Sequence, residues 1–205
     1  MRLASRLSLA LLISLSGACS ILPKAENAEV YRLPAHTAAS GAAPVGWSLR
    51  VNKPITSDAL DMPRIAVVPQ GDVLSSYKGA RWTDPAPALL RNRILDAFQR
   101  DGRVPRLSAD DSNLQSDFEL VGELQAFQSE YTAQGIEAVV RLDARLVDGR
   151  TQRILVSRRF EVRQPVSDKR VPAVVTGLGQ ATDQAMAQLL DWTVAQASRY
   201  QPKNQ

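Results

Sequence analysis

One cysteine and one histidine in 205 residues leave most enzyme chemistry without its parts. The lone thiol, Cys19, rules out an intramolecular disulfide. The lone imidazole, His36, leaves neither a Ser-His-Asp arrangement nor a histidine-based metal site to be assembled from ordinary partners. Runs of transmembrane length are missing too. The apolar stretch from Leu7 to Leu15 is nine residues, whereas a helix crossing a hydrocarbon core of about 30 Å needs about 20. Excess charge is equally scarce. Without residues 1–18 the chain carries 23 Lys plus Arg against 21 Asp plus Glu, a net of +2. With so few aromatics beside so small a charge, there is no basic, aromatic-interleaved face of the kind that binds nucleic acid.

What the N-terminus does contain is ordered in three parts: Arg2 and Arg6, the apolar run, then Ser16, Gly17 and Ala18 directly before Cys19. This is the layout of a secretory signal over residues 1–18. Leu15-Ser16-Gly17-Ala18-Cys19 resembles the lipobox of bacterial lipoproteins, with Ser16 where a leucine-like residue is usual. The resemblance implies cleavage before Cys19 and acylation of its thiol, the one covalent group expected; no other cofactor is. Two or three acyl chains give stable anchoring where one gives only reversible attachment. Ser20, rather than Asp, follows the cysteine, which by the same resemblance favours the outer membrane, periplasmic side.

Residues 19–46 include Pro23, Pro34, Gly41, Pro44 and Gly46 and read as a lipidated tether, with a short strand open at 29–33. A domain over 47–199 and a tail over 200–205 follow. Trp47, Leu49 and Val51 alternate with polar residues, as in a one-faced strand. Arg64 to Val68, between Pro63 and Pro69, reads as a strand buried on both faces. Leu90, Ile94, Ala97 and Phe98 recur at helical spacing over about 85–101, with Asp84 suited to cap the start and Gly102 to end it.

Between 117 and 163 the apolar residues fall on even numbers: Phe118, Leu120, Leu124 and Ala126, then Ile136 to Leu146, then Ile154 to Val162. Charges lie between them, apart from Arg158, which suits a sheet edge. Three antiparallel strands fit this pattern. Parity across the last turn predicts a three-residue loop, Val147-Asp148-Gly149, pairing 142 with 154 and placing Gly149 in a left-handed backbone. Val174, Leu178, Ala181, Ala185, Leu189 and Trp192 recur every three or four residues and predict a helix over about 171–199. The fold class expected is α+β: a mainly antiparallel sheet with a C-terminal three-stranded meander, covered by two amphipathic helices.

Few local features suggest chemistry. Asp110, Asp111 and Asp117 lack the glycine and terminal Glu of a calcium loop and read as a solvated turn. Gly177-Leu178-Gly179 is half of a dinucleotide fingerprint without its strand. Neither catalytic nor metal-binding residues are expected. Arg81-Trp82-Thr83-Asp84-Pro85 has two readings: a helix entry anchored by Trp82, or a contact surface, since Trp and Arg are enriched at binding hot spots.

Taken together, the lipobox, Tyr31-Arg32-Leu33, the Arg64 to Val68 strand, Tyr77-x-x-x-Arg81-Trp82, Phe118-Glu119-Leu120, the Arg141 to Asp148 strand and Asp191-Trp192 resemble the ABC-type transport auxiliary lipoproteins, the PqiC-like family of paraquat-inducible operons. The resemblance spans roughly residues 29–195. It implies a non-enzymatic part of a lipid-transport system at the outer membrane, docking an MCE-domain protein that works with an ABC permease and ATPase. Tyr77, Arg81 and Trp82 are the candidate partner contacts and Cys19 the lipidation site; a homo-oligomer is left open. A lipid carrier with its own apolar cavity is the alternative.

Overall fold

A computed structural model describes residues 28–35, 43–112 and 114–200. The signal, Cys19, Ser20, His36 and the tail beyond Tyr200 lie outside the described residues. Among the described residues nine strands and two helices follow in order: β1 (Glu29–Tyr31), β2 (Ser48–Val51), β3 (Ile55–Thr56), β4 (Arg64–Gln70), β5 (Val73–Trp82), α1 (Ala86–Asp101), β6 (Arg106–Ala109), β7 (Phe118–Thr132), β8 (Gly135–Asp148), β9 (Ile154–Val166) and α2 (Val171–Tyr200).

β7, 15 residues long, is the spine of the sheet. Along one edge it pairs with β8 from Phe118–Asp148 to Thr132–Gly135, and β8 pairs with β9. Along its other edge three short strands line up end to end and parallel to it: β2 beside 118–120, β3 beside 123–124, β4 beside 128–130. β6 extends the sheet from β2, and β5 and then β1 extend it from β4.

Five of the eight pairings are parallel and three antiparallel. The sheet is therefore mixed, which corrects the expectation of a mainly antiparallel one. The C-terminal meander is as expected. Side-chain alternation reports which face is buried and carries nothing about strand direction, so the parallel half was invisible in the pattern.

A bulge at Gln125 sets Leu124 opposite Leu142 but Ala126 opposite Arg141. The extra residue switches the core face of β7 from Leu120 and Leu124 to Phe127 and Ser129. In β8 the even residues Ala138 to Leu146 stay buried throughout.

Both helices lie on that core face. α1 buries Leu89, Leu90, Ile94, Ala97 and Phe98; α2 buries Val174, Leu178, Ala181, Ala185, Leu189 and Trp192. Phe160 meets Trp192 edge-on at 5.5 Å, and Trp47 meets Phe118 in the same way. Arg93 of α1, 6 % exposed, pairs with Asp183 of α2 and with Asp96 at 2.7 Å, tying the helices together. Gly177 lets α2 settle on the sheet, where a Cβ would come to 2.7 Å from Val166 Cγ2; it is a packing glycine.

Three local expectations change. Asp84 does not cap α1; Pro85 occupies that position without a side-chain bond, while Gly102, left-handed at φ 78°, ends the helix by donating to Phe98 O at 3.1 Å. Arg81 and Trp82, expected within a helix entry over 81–85, are instead the last two residues of β5. The last hairpin pairs 142 with 160 and 146 with 156, not 142 with 154. Asp148 N donates to Arg153 O, and Gln152, not Gly149, takes the left-handed backbone at φ 56°. Even still faces even, so the parity argument held while the loop length did not.

The folded unit also reaches further toward the N-terminus than Trp47. β1 pairs with β5, Thr83 N donates to Tyr31 O at 2.9 Å, and Val45 N donates to Arg103 O at 2.7 Å. Pro34 packs on the bare backbone of Gly179, where a Cβ would meet it at 3.0 Å.

Candidate functional site

β5 separates the three residues expected as partner contacts. Trp82 points to the core, fully buried, with its ring 5.8 Å from that of Phe127. It anchors the sheet and offers no surface to a partner. Tyr77 is half-buried; its hydroxyl lies 2.9 Å from Ser129 Oγ and 3.3 Å from Tyr131 OH across β4. Burial holds the Tyr77 phenol above its ordinary range. Arg81 projects from the opposite face, exposed, beside Arg64 and Val30 in the neighbouring strands. Of the three, only Arg81 is available as a contact in the folded domain.

The outer face of the meander is a ladder of cross-strand ion pairs. Arg141 donates to Glu161 through two bonds of 2.8 and 3.0 Å, Arg159 to Asp143 through two of 2.6 and 2.7 Å, and Arg163 reaches Glu130, Glu137 and Glu161. Arg141 and then Arg163 hold the Glu161 carboxyl down at about 2. Each of these charges is already partnered, which suits a wetted face.

Asp110, Asp111 and Asp117 are divided between two places. Asp110 accepts from Arg91 at 2.6 Å and from Lys53 N at 3.0 Å, and Asp111 also pairs with Arg91. Asp117 serves a different purpose, at the end of the sheet where β7 begins and β8 ends. There Ser48 N and Ser48 Oγ both donate to Asp117 Oδ2 at 2.7 Å, and Gly149 N donates to Asp117 O at 2.9 Å. Asp148 Oδ1 accepts from Arg150 N and Thr151 N, which hold its carboxyl below the usual range. Gln152 Nε2 closes the turn onto Gly149 O and Glu119 Oε1, both at 3.0 Å.

The result is a groove of about 530 Å³, walled by Ser48, Ser116, Asp117, Gly149, Arg150 and Tyr200. The last turn of α2 reaches it, with Tyr200 OH 3.3 Å from Leu155 O. At the same end of the sheet stand Leu114 and Ile154, each 60 % exposed, together with Arg150 and Arg153. Neither arginine has a carboxylate within ion-pair distance among the described residues. Hydrogen-bonded walls, exposed apolar side chains, an aromatic and exposed arginines are the composition of a contact surface. Sequence reading missed this groove: Asp117 and Gly149 were visible as turn residues, but nothing in their spacing brings Ser48 and Tyr200 to them.

The family of ABC-type transport auxiliary lipoprotein components matches residues 31–189. The chain belongs to this family. The auxiliary lipoprotein resembles the crystal structure of XCC0632 from Xanthomonas campestris, a DUF330 protein, with 31 % identity and a TM-score of 0.79, covering 84 % of this chain and 98 % of that one. A second crystal structure, of an uncharacterized protein, has the same fold at 17 % identity and a TM-score of 0.63, covering 82 % of this chain and 99 % of that one. An uncharacterized protein of Bradyrhizobium diazoefficiens, bll6063, is 25 % identical over 148 residues, which is 72 % of this chain and 39 % of the relative. This chain thus spans well under half of that relative's length. No helix of the described residues is long and apolar enough to cross a membrane.

Proposed function

We propose that this auxiliary lipoprotein is a non-enzymatic docking component, anchored in the outer membrane by acyl chains on Cys19. From there it would hold the far end of an MCE-type partner working with an ABC permease and ATPase. The family match over residues 31–189 carries the reading. Two structural observations support it. The groove at the Asp117–Gly149 end is walled in part by Arg150 and exposed Tyr200, and exposed Leu114, Ile154 and Arg153 stand at the same end of the sheet. The space between sheet and helices is filled by side chains such as Trp82, Phe98, Phe127, Leu146, Leu178 and Met186, each under 2 % exposed. A carrier would need that space for a lipid chain, so the packing favours docking over carriage.

The test is recovery of the lipidated chain from cross-linked cells in mild detergent. Mass spectrometry should find diacylglycerol on Cys19, the chain should fractionate with the outer membrane, and the MCE-domain and ABC subunits should co-purify. A lipidated, outer-membrane chain that retains none of them overturns the proposal.

A further inference from the structure

β9 is a free edge of the sheet. It is 13 residues long and pairs only with β8. Two observations show which of its backbone groups point away from β8. Pro165 sits inside the strand, opposite Glu137, and strand prolines stand where the missing N–H would have faced outward. At the other end of the strand, Leu155 O accepts from Tyr200 OH of α2 at 3.3 Å. Both residues are odd-numbered, and outward-facing groups recur every second residue in a strand. The N–H and C=O groups of Ser157, Arg159, Glu161 and Arg163 between them therefore face outward, and among the described residues they have no hydrogen-bond partner.

A bare edge is a template for another strand, and charged side chains are the usual guard against it. Here the guard is neutralised from within the sheet: Arg159 is held by Asp143, Glu161 by Arg141, and Arg163 by Glu130, Glu137 and Glu161. The order of signs then decides what fits. A second copy of β9, antiparallel about a two-fold axis at Phe160, sets Arg159 opposite the second copy's Glu161 and Glu161 opposite its Arg159. Each row across the sheet then alternates in sign from one copy into the next: Asp143 and Arg159, followed by Glu161 and Arg141 of the second copy. An axis one residue to either side sets Arg159 or Glu161 against itself. An axis at Val162 sets Arg159 against Pro165, where no N–H is available. The Phe160 axis sets Pro165 against Leu155 instead, whose carbonyl already has Tyr200.

We infer that β9 pairs with β9 of a second copy of this chain in that register, giving an isologous dimer with one continuous sheet. The occupant is a second copy because the charges at 159 and 161 become their own complement when the strand is reversed. Pairing satisfies the outward groups of Ser157 to Arg163 together, and directly opposed charges of opposite sign favour it. The two-fold axis stands normal to the sheet, so both helix layers lie on one face and both ion-paired faces form the other. The pairing needs neither the lipid anchor nor the transport partner proposed above, and its test is separate from theirs.

The experiment is sedimentation of the full chain in a density-matched mild detergent, with thermal unfolding to establish that each variant is folded. The parent is expected to sediment as a dimer. Arg159→Glu and Glu161→Arg each set like charges against one another in both rows, and each should raise the dissociation constant about tenfold. An equimolar mixture of the two variants should recover the parent's affinity, because every charge then meets its opposite in the other variant. Ser157→Pro removes one outward N–H, leaves the pairing with β8 in place and alters no charge; it should weaken the dimer as well. A parent that sediments as a monomer overturns the inference. An assembly that all three variants leave unchanged lies on another surface and also overturns it. Weakening by the two charge variants without recovery in their mixture overturns the register and the inference with it.

Discussion

Gly149 and Ser116 meet backbone to backbone: a Cβ on Gly149 would stand 2.0 Å from the Ser116 carbonyl oxygen. No side chain fits there, and because the obstacle is main chain it cannot swing aside. Gly149→Ala should therefore push the β8–β9 turn away from the start of β7. It should cost roughly 2–4 kcal/mol, in the range of overpacking with backbone displacement. Urea unfolding at neutral pH measures it; a midpoint within error of the parent would mean that the close approach is not maintained in solution.

Acid should weaken the meander through Glu161. Its carboxyl is held at about 2 in the folded domain, first by the hydrogen bonds from Arg141, against 4.5 ordinarily. A depressed pKa means the unfolded chain takes up the proton more readily, so the stabilisation is full above about 4.5 and is lost as pH falls toward 2. The pair is partly exposed, so screening reduces its contribution to about 1 kcal/mol. Glu161→Gln should lower stability at pH 7 and flatten its fall between pH 5 and 2, followed by thermal unfolding across that range.

The two helices should depend on Arg93 and Asp183 as a unit. Arg93→Ala removes a charged partner from Asp183 and Asp96, both partly exposed, and should cost about 2 kcal/mol, in the range of hydrogen bonds to charged groups. The double change Arg93→Met with Asp183→Leu should restore most of that loss. Chemical denaturation of the two variants decides it: a double variant as unstable as the single would contradict this account of the interface.

β5 should separate stability from contact. Trp82→Ala removes a fully buried ring and should cost about 3–5 kcal/mol, and Tyr77→Phe, which strands the buried Ser129 hydroxyl, about 1 kcal/mol. Arg81→Ala, on the exposed face, should change stability by less than about 0.5 kcal/mol. Any effect of Arg81→Ala on partner retention then reports a contact, measured by pull-down beside unfolding curves.

Much of this was readable in residue order. The even-numbered apolar positions of β8 and β9, the helix ending at Gly102, and the long helix from Val171 follow from periodicities of 2 and 3.6, because one-sided burial writes itself into sequence. The Gln125 bulge was hidden because Ala126, just past it, is apolar on an even number and continued the run. β5 was missed because Ser75, Ser76 and Lys78 break any alternation on a strand whose burial changes along its length. β1 falls within the 29–33 segment where a short strand was open, whereas β6, four residues long and held by β2 far away in sequence, left no signal. The groove was unreadable for the same reason: Ser48, Asp117, Gly149 and Tyr200 become neighbours only through tertiary folding.

We propose that this lipoprotein docks its partner through the end of the sheet that carries Asp117 and Gly149. A photo-cross-linking residue placed by substitution at Arg150 in the lipidated chain, with a second at Arg159 on the ion-paired face as reference, tests it in whole cells. The expected result is a cross-link from position 150 to an MCE-domain or other subunit of an ABC-type transport system, and none to such a subunit from 159. Equal yields from both positions, or cross-links from 150 to no subunit of such a system, would contradict it.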